Sequence, residues 1–394
     1  MIKRILLYGA TGYSGRLIAH EARRGIESGA LPNEEVVLGG RDRFALARLG
    51  RECSLTHVVF GLDDRSRVED VLSEFDVVLN AAGPFADTGI RLAKAAIAVQ
   101  CHYVDINGEV GVYKALDDLA RAAEDRGVRL VSGAGFTATM SDVMVRWAVT
   151  LLRRVRPQGL ALGVARIAVS DMTHLSRGSL LTTLRSIREE VTIVRDGKYV
   201  HVPVGRLERT FDFGPNASDR IASAANLLDT CTAFETTRDL QIDVGCIESY
   251  IQMPLPIRIG YQAGAFSAVW FSLPLVQRLA EMQIAQLPAG PDSEERTQNR
   301  QSIVLRIESP YQEPWVDWRL DTPNAYDVTA RTALAVAAKV TNDAVLKSNG
   351  WFTPSRVLAL PPPLASLETK APVALTTAPF QGCTMEGRRV MSLV

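Results

Sequence analysis

The sequence predicts an α/β protein whose first third forms a parallel sheet covered on both faces, followed by an α+β region. Three observations carry this reading. Short apolar runs alternate with helical stretches up to about residue 140; a glycine-rich turn follows the first run directly; and longer strand-like segments replace the short ones afterwards.

The elements follow in order. Residues 5–8 (Ile-Leu-Leu-Tyr) read as a buried strand and 16–24 as a helix. Strands are expected at 36–38, 57–60, 76–80, 102–104 and 129–131, the last preceded by a helix over 112–126. A helix over 142–153 opens the second region, whose strands fall at 162–169, 191–194, 199–202 and 241–251, with a helix over 178–190 among them. Two further strands, 303–308 and 315–320, lead to an Ala-rich helix over 327–346. From Leu360 onward the chain carries Pro361-Pro362-Pro363 and little periodicity, so it reads as an extended, loosely attached tail. The boundaries are therefore 1–140, 141–325, 326–358 and a tail over 359–394.

The first strand runs straight into Gly9-Ala10-Thr11-Gly12-Tyr13-Ser14-Gly15, and a helix starts there. In G-x-x-G-x-x-G spacing the first glycine allows the tight turn and the second lets a pyrophosphate approach the backbone. The third lets helix and strand pack closely, and the helix N-terminus offers N–H groups to the phosphates. Inside a strand–helix–strand unit, this is a Rossmann dinucleotide site. An acidic residue ending the second strand would bind a ribose 2′-hydroxyl, whereas an arginine accommodates a 2′-phosphate. Here that strand ends in Gly39-Gly40-Arg41-Asp42-Arg43, and Glu34 and Glu35 sit at its other end. Arg41 favours NADP over NAD. At the end of the fourth strand, Asn80-Ala81-Ala82-Gly83-Pro84-Phe85 leaves room beside the nicotinamide ribose.

Composition narrows the alternatives. With 44 Lys plus Arg against 44 Asp plus Glu, no charge surplus points to a nucleic-acid partner. The five cysteines, Cys53, Cys101, Cys231, Cys246 and Cys383, are scattered without a C-x-x-C, which argues for free thiols, no metal site and the cytoplasm. The N-terminal apolar run is too short for a signal peptide. None of the nine tyrosines has a lysine four positions on, and no phosphate loop, H-E-x-x-H or G-x-S-x-G is present. Hydride transfer is the chemistry that remains best supported.

Several strings together resemble the saccharopine dehydrogenase-like oxidoreductases, and within them the trans-acting enoyl reductase branch. They are the glycine loop, Asn80 to Phe85, His102-Tyr-Val-Asp-Ile-Asn-Gly-Glu109, Gly135-Phe136 and Ser141-Asp142. Later strings are Ser176-Arg-Gly-Ser179, Gly290-Pro-Asp-Ser-Glu-Glu-Arg296, Thr329-Ala-Arg-Thr332 and Trp351-Phe-Thr-Pro354. The resemblance implies a Rossmann NAD(P)-binding domain, an α+β substrate domain inserted before the last helix, and a homodimer formed through that domain's sheet. Thr137 and Met140 stand where relatives commonly carry an acidic residue and a proline, and Arg177-Gly178 stands where they carry two glycines.

The candidate chemistry is then as follows. Tyr103 and Asp105 occupy alternate positions of one strand and share a face, with Glu109 just beyond, so they are candidates for acid–base or orienting roles or for local caps. His174 is a candidate proton donor. Arg177 and Ser176 are candidates for substrate binding, together with Phe85 and Thr137. Asp292-x-x-Glu295 has a capping-box pattern. The apolar segment 265–276, with Phe266, Trp270 and Phe271, suits a greasy substrate tunnel, a dimer interface, a membrane-surface patch or plain core. The reading is an NADP-dependent reductase acting on a C=C, C=O or C=N carbon of a small or lipid- or polyketide-like metabolite, an acyl thioester among them. The alternatives are saccharopine-type C–N reductive amination and a cofactor-bound scaffold or sensor.

Overall fold

The computed structural model describes residues 3–170, 175–186, 190–214, 221–262, 274–342, 344, 346–361, 373–375 and 379–390. His174 and residues 265–273 of the apolar segment lie outside the described residues. The chain divides into two compact units, residues 1–139 with 326–359, and residues 140–325 with 360–394.

The first unit is built on a parallel sheet that has seven strands among the described residues. These are β1 (Lys3–Tyr8), β2 (Glu34–Gly40), β3 (His57–Val59), β4 (Val77–Asn80), β5 (His102–Asp105), β6 (Arg129–Val131) and β15 (Gly350–Phe352). Their spatial order is β15-β6-β5-β4-β1-β2-β3, so the order reverses between β1 and β4. Ile5, Leu6 and Leu7 of β1 and Val77, Val78 and Leu79 of β4 are all buried, as a strand covered on both faces requires. The covering helices are α1 (Tyr13–Glu27), α2 (Arg43–Cys53), α3 (Arg65–Leu72), α4 (Phe85–Ala98), α5 (Val110–Asp117) and α6 (Ala120–Asp125). The helix expected over 112–126 is thus two helices. The chain makes a tighter turn between them, where the Leu119 N–H donates to the Leu116 carbonyl at 3.0 Å and the Leu119 side chain packs on the core.

The second unit holds a mixed sheet. Its strands are β7 (Ala161–Val169), β8 (Val191–Arg195), β9 (Lys198–Val202), β10 (Glu208–Thr210), β11 (Ile221–Ala224), β12 (Asp243–Gln252), β13 (Gln301–Glu308) and β14 (Pro314–Thr322), joined by β16 (Val373–Leu375) and β17 (Cys383–Val390). The order is β10-β11-β12-β7-β13-β14-β17-β16, with β8 pairing β12 and β9; β12 lies parallel to β7 and the other pairs are antiparallel. Helix α7 (Phe136–Val155) leads into this unit, which also contains α8 (Arg177–Ser186), α9 (Asp229–Asp239), α10 (Leu255–Gln262), α11 (Pro274–Gln286) and α12 (Ser293–Gln298). Asp292 and Glu295 make the capping box at the start of α12.

The expectation of a loosely attached tail is corrected for its last part. β17 pairs with β14, Cys383 and Met385 are buried, and the Phe380 ring packs 5.1 Å from Trp147. The strand pattern there is masked in the sequence by Gly387 and two arginines, and the partner strand lies far away along the chain.

After β14, helix α13 (Ala325–Lys339) brings the chain back to the first unit, followed by β15 and α14 (Pro354–Leu358). The helix expected to run to residue 346 stops at Lys339, and Arg129 explains why. Its guanidinium is buried and donates to the carbonyls of Val340 at 2.8 Å, Leu346 at 2.7 Å and Ser348 at 3.2 Å. A helix continuing past Lys339 would turn such carbonyls into its own ladder. Replacing Arg129 by Met leaves these buried acceptors without their donor, at a cost of about 3 kcal/mol. Arg129→Met is therefore expected to lower the urea midpoint markedly, while Arg129→Lys recovers part of the loss.

Candidate cofactor site

The site is assembled at the carboxyl ends of β1 and β4, where the strand order reverses and a crevice opens. Tyr8 and Asn80, the last residues of the two strands, stand in register. Gly9 follows with φ +80°, and a Cβ there would lie 2.6 Å from the Ala82 backbone nitrogen. Only glycine lets the two turns meet. Gly15 is equally constrained, since its Cβ would fall 2.2 Å from the Gly9 carbonyl oxygen. The loop is closed by Gly12 N–H donating to Gly9 O at 3.0 Å and by Gly9 and Ala10 N–H groups sharing Gly39 O.

Three helices start along this edge, and they differ in how their first N–H groups are satisfied. At α2 the Asp42 side chain accepts from the Phe44 and Ala45 N–H groups, each at 3.0 Å. At α4 the Glu109 carboxylate accepts from Phe85 N–H at 3.0 Å and Ala86 N–H at 3.2 Å. Helix α1 has Gly12 at its N-cap, no side-chain cap and no acidic residue in its first turn. An anion at that end would take the place that carboxylates hold at the other two. Thr11, Tyr13 and Ser14 are half-buried around the exposed Gly12, and the Tyr13 ring meets Tyr326 edge-on at 4.9 Å. A dinucleotide pyrophosphate is the anion such a glycine-built, uncapped helix start can hold on its backbone N–H groups.

Arg41 lies just past β2 and is exposed, and its side-chain stem runs beside Gly61. Asp42 caps α2, and among the described residues Arg41 makes no ion pair with it. Glu35, at the other end of β2, pairs with Arg4 at 3.2 Å.

Beneath the crevice a polar chain crosses β4, β5 and the end of β6. Asn80 Oδ1 accepts from Ala82 N–H at 3.0 Å, which shapes the turn through Ala81 and Gly83. Its Nδ2 donates to Thr88 Oγ1 at 3.3 Å and to the Tyr103 hydroxyl at 3.2 Å. Tyr103 donates in turn to Asp105 Oδ2 at 2.9 Å. Asp105 Oδ1 accepts from Ser132 Oγ at 2.8 Å and from the N–H groups of Gly133 and Asn107, both at 3.0 Å. Thr332 of α13 donates to Ala134 O at 2.8 Å, and Thr329 accepts from Phe136 N–H at 3.1 Å, fastening the returning helix to the same turn.

These contacts correct part of the expected chemistry. Tyr103 and Asp105 do share a face, but both are 0% exposed and bonded to each other, so neither reaches a substrate. Glu109 is a cap of α4. Phe85 is buried at the start of α4, and Thr137 is half-buried in the first turn of α7. In the second unit Ser176 Oγ accepts from Ser179 N–H at 3.2 Å, at the start of α8. Arg177 is exposed and donates to the Ala285 carbonyl at 3.2 Å, so its guanidinium serves the end of α11. Sequence reasoning missed Thr88, Ser132 and Asn107. Their only signal is the placement of small polar residues immediately after apolar strands or in a first helical turn.

This unit has the strand order, glycine loop and open helix end of a dinucleotide-binding α/β domain. Comparison with known proteins narrows the class. Residues 5–131 match the family model of the saccharopine dehydrogenase NADP binding domain. The chain is 30% identical over 164 residues to a trans-acting enoyl reductase of Mycobacterium ulcerans, covering 39% of this chain and 37% of that protein. It is 27% identical over 151 residues to a lipid droplet localized protein of Caenorhabditis elegans, covering 36% and 35% of the two. The matches thus span little more than a third of those relatives' length. Across the whole chain the fold is similar to the apo saccharopine dehydrogenase (L-Glu forming) of Saccharomyces cerevisiae, with a TM-score of 0.58, 13% identity, and coverage of 91% of this chain and 95% of that one.

Two outcomes test the site. Gly9→Ala forces the loop off Ala82 and is expected to weaken dinucleotide binding by about tenfold or more while lowering stability by about 1–3 kcal/mol, read by calorimetric titration and thermal melting. The second concerns Asp105, which burial pushes up to about 6 from 3.8, despite its four hydrogen bonds. The folded carboxyl keeps a proton that the unfolded one has lost. The stability this confers is complete below the unfolded value and disappears as pH rises through about 6, a loss on the order of 3 kcal/mol. Asp105→Asn does not titrate, so its melting temperature should gain on the parent protein from about pH 4 to pH 7. A difference that stays flat across that range would count against the raised carboxyl.

Proposed function

We propose that the chain is an NADP-dependent reductase acting on an unsaturated or carbonyl-type carbon of a lipid- or polyketide-like metabolite. One observation carries the cofactor preference: Arg41 stands exposed past β2 while Asp42, the acidic residue beside it, is occupied as the cap of α2. A ribose 2′-phosphate would meet the Arg41 guanidinium there. Bound NADPH supplies a hydride from its nicotinamide. The backbone from Gly9 to Gly15 holds the pyrophosphate, and the Asn80-to-Gly83 turn shapes the space beside the nicotinamide ribose. Tyr103 and Asp105 act by holding that turn. His174 is the residue to which we assign proton delivery, because a histidine titrates near neutrality. The enoyl-type substrate is supported by the name of the mycobacterial relative.

Titration by fluorescence should show NADPH bound more tightly than NADH, and Arg41→Ala should reduce that preference by about ten- to hundredfold. Equal affinity for both in the parent protein removes the argument from Arg41. Steady NADPH oxidation is expected with an enoyl thioester or enone, and silence across enones, ketones and imines overturns the reductase reading.

A further inference from the structure

We propose that Tyr326 is a positioning residue for the dinucleotide: its ring holds the first turn of α1 in the form that binds the pyrophosphate. The proposal deepens the cofactor reading above and rests on it.

A helix start that takes an anion carries a conflict. Its first N–H groups must be kept in place, yet any side chain bonded to them occupies the position that the ligand needs. At α2 and α4 the carboxylates of Asp42 and Glu109 fill that position from within the protein. At α1 the N-cap is Gly12, which has no side chain to offer. The Gly12 N–H donates to Gly9 O at 3.0 Å and the Arg16 N–H to Gly12 O at 2.9 Å, and these bonds shape the base of the turn.

The flank of the same turn is held by a ring. Tyr13, the first residue of α1, is half-buried, and its ring meets that of Tyr326 at a centroid distance of 4.9 Å and an interplanar angle of 88°. In this edge-to-face arrangement the positive edge of one ring meets the negative face of the other, so direction is fixed as well as distance. A contact between two rings draws on no backbone N–H. It steadies the turn without taking the ligand's place.

Tyr326 can serve as a wall because it is itself fixed, by bonds that do not involve α1. It is 7% exposed and stands in the first turn of α13. Further along that helix Thr329 Oγ1 accepts from Phe136 N–H at 3.1 Å, and Thr332 Oγ1 donates to Ala134 O at 2.8 Å. Val328, Ala330 and Ala333 beside them are buried. The segment receiving these bonds leaves the carboxyl end of β6 and includes Ser132 and Gly133, which donate to Asp105. Tyr326 is thus tied to the same edge of the parallel sheet from which the glycine loop departs. A turn ordered before the ligand arrives spares binding the cost of ordering it.

The test titrates the full chain calorimetrically with NADPH and ADP-ribose, which carry the pyrophosphate, and with adenosine 2′-monophosphate, which does not. Tyr326→Leu fills the space without an aromatic edge. It is expected to weaken NADPH and ADP-ribose by about two- to tenfold and to leave adenosine 2′-monophosphate unmoved. Tyr326→Phe keeps the ring and should restore the parent affinity. Tyr13→Leu combined with Tyr326→Leu should bind no more weakly than either alone, because both remove one contact. Equal weakening of all three ligands, as a general loss of fold would give, overturns the proposal. So does a lowered melting temperature with unchanged affinities, and so do losses at the two tyrosines that simply add. A parent protein that binds none of NADPH, NADH and ADP-ribose removes the dinucleotide reading and this inference together. A parent that binds them, with Tyr326→Leu binding them equally, removes this inference alone.

Discussion

The close approach of Gly9 to Ala82 is the constraint on which the first unit depends. Two loops that end neighbouring parallel strands come within a backbone's width of each other, and Gly9 has no room for a side chain against Ala82. The polar chain from Asn80 through Tyr103 to Asp105 supports one of these loops from below. Asn80 fixes the Ala82 N–H, Tyr103 fixes Asn80, and Asp105 gathers Tyr103 with donors from Asn107, Ser132 and Gly133. Three strands are thereby tied at their carboxyl ends by side chains, beyond their backbone ladder. A buried network of this kind is rigid when fully satisfied, and the crevice above it inherits that rigidity.

Much of this was legible in the sequence because it rests on short-range rules. A glycine spacing between an apolar run and a helix specifies its own turn, and small residues after β4 indicate open space. The seven-stranded order was less accessible. β15 joins β6 across more than two hundred residues, and its three residues Gly350 to Phe352 carry no pattern that distinguishes them from a loop. The end of α13 is set by Arg129, equally distant along the chain. The choice among the readings of Tyr103 and Asp105 was out of reach for a related reason. Alternation correctly put them on one face, but whether that face met a ligand or Asn80 depended on how β4 and β5 pair.

The three helix starts show how one physical device serves two ends. Asp42 and Glu109 satisfy the first N–H groups of α2 and α4 from within the protein. At α1 no side chain does so, which leaves the positive end of that helix open to an anion.

The same accounting bears on where the proton comes from. Delivering a hydride to a double bond leaves a carbanion or alkoxide that must acquire a proton, and the donor has to contact it. In the first unit Asp105 is enclosed, Tyr103 donates its hydroxyl proton to Asp105, and Glu109 caps α4. Making any of them the donor would dismantle a hydrogen bond that shapes the crevice. Within the first unit these side chains therefore hold the turns that frame the carboxyl edge of the sheet.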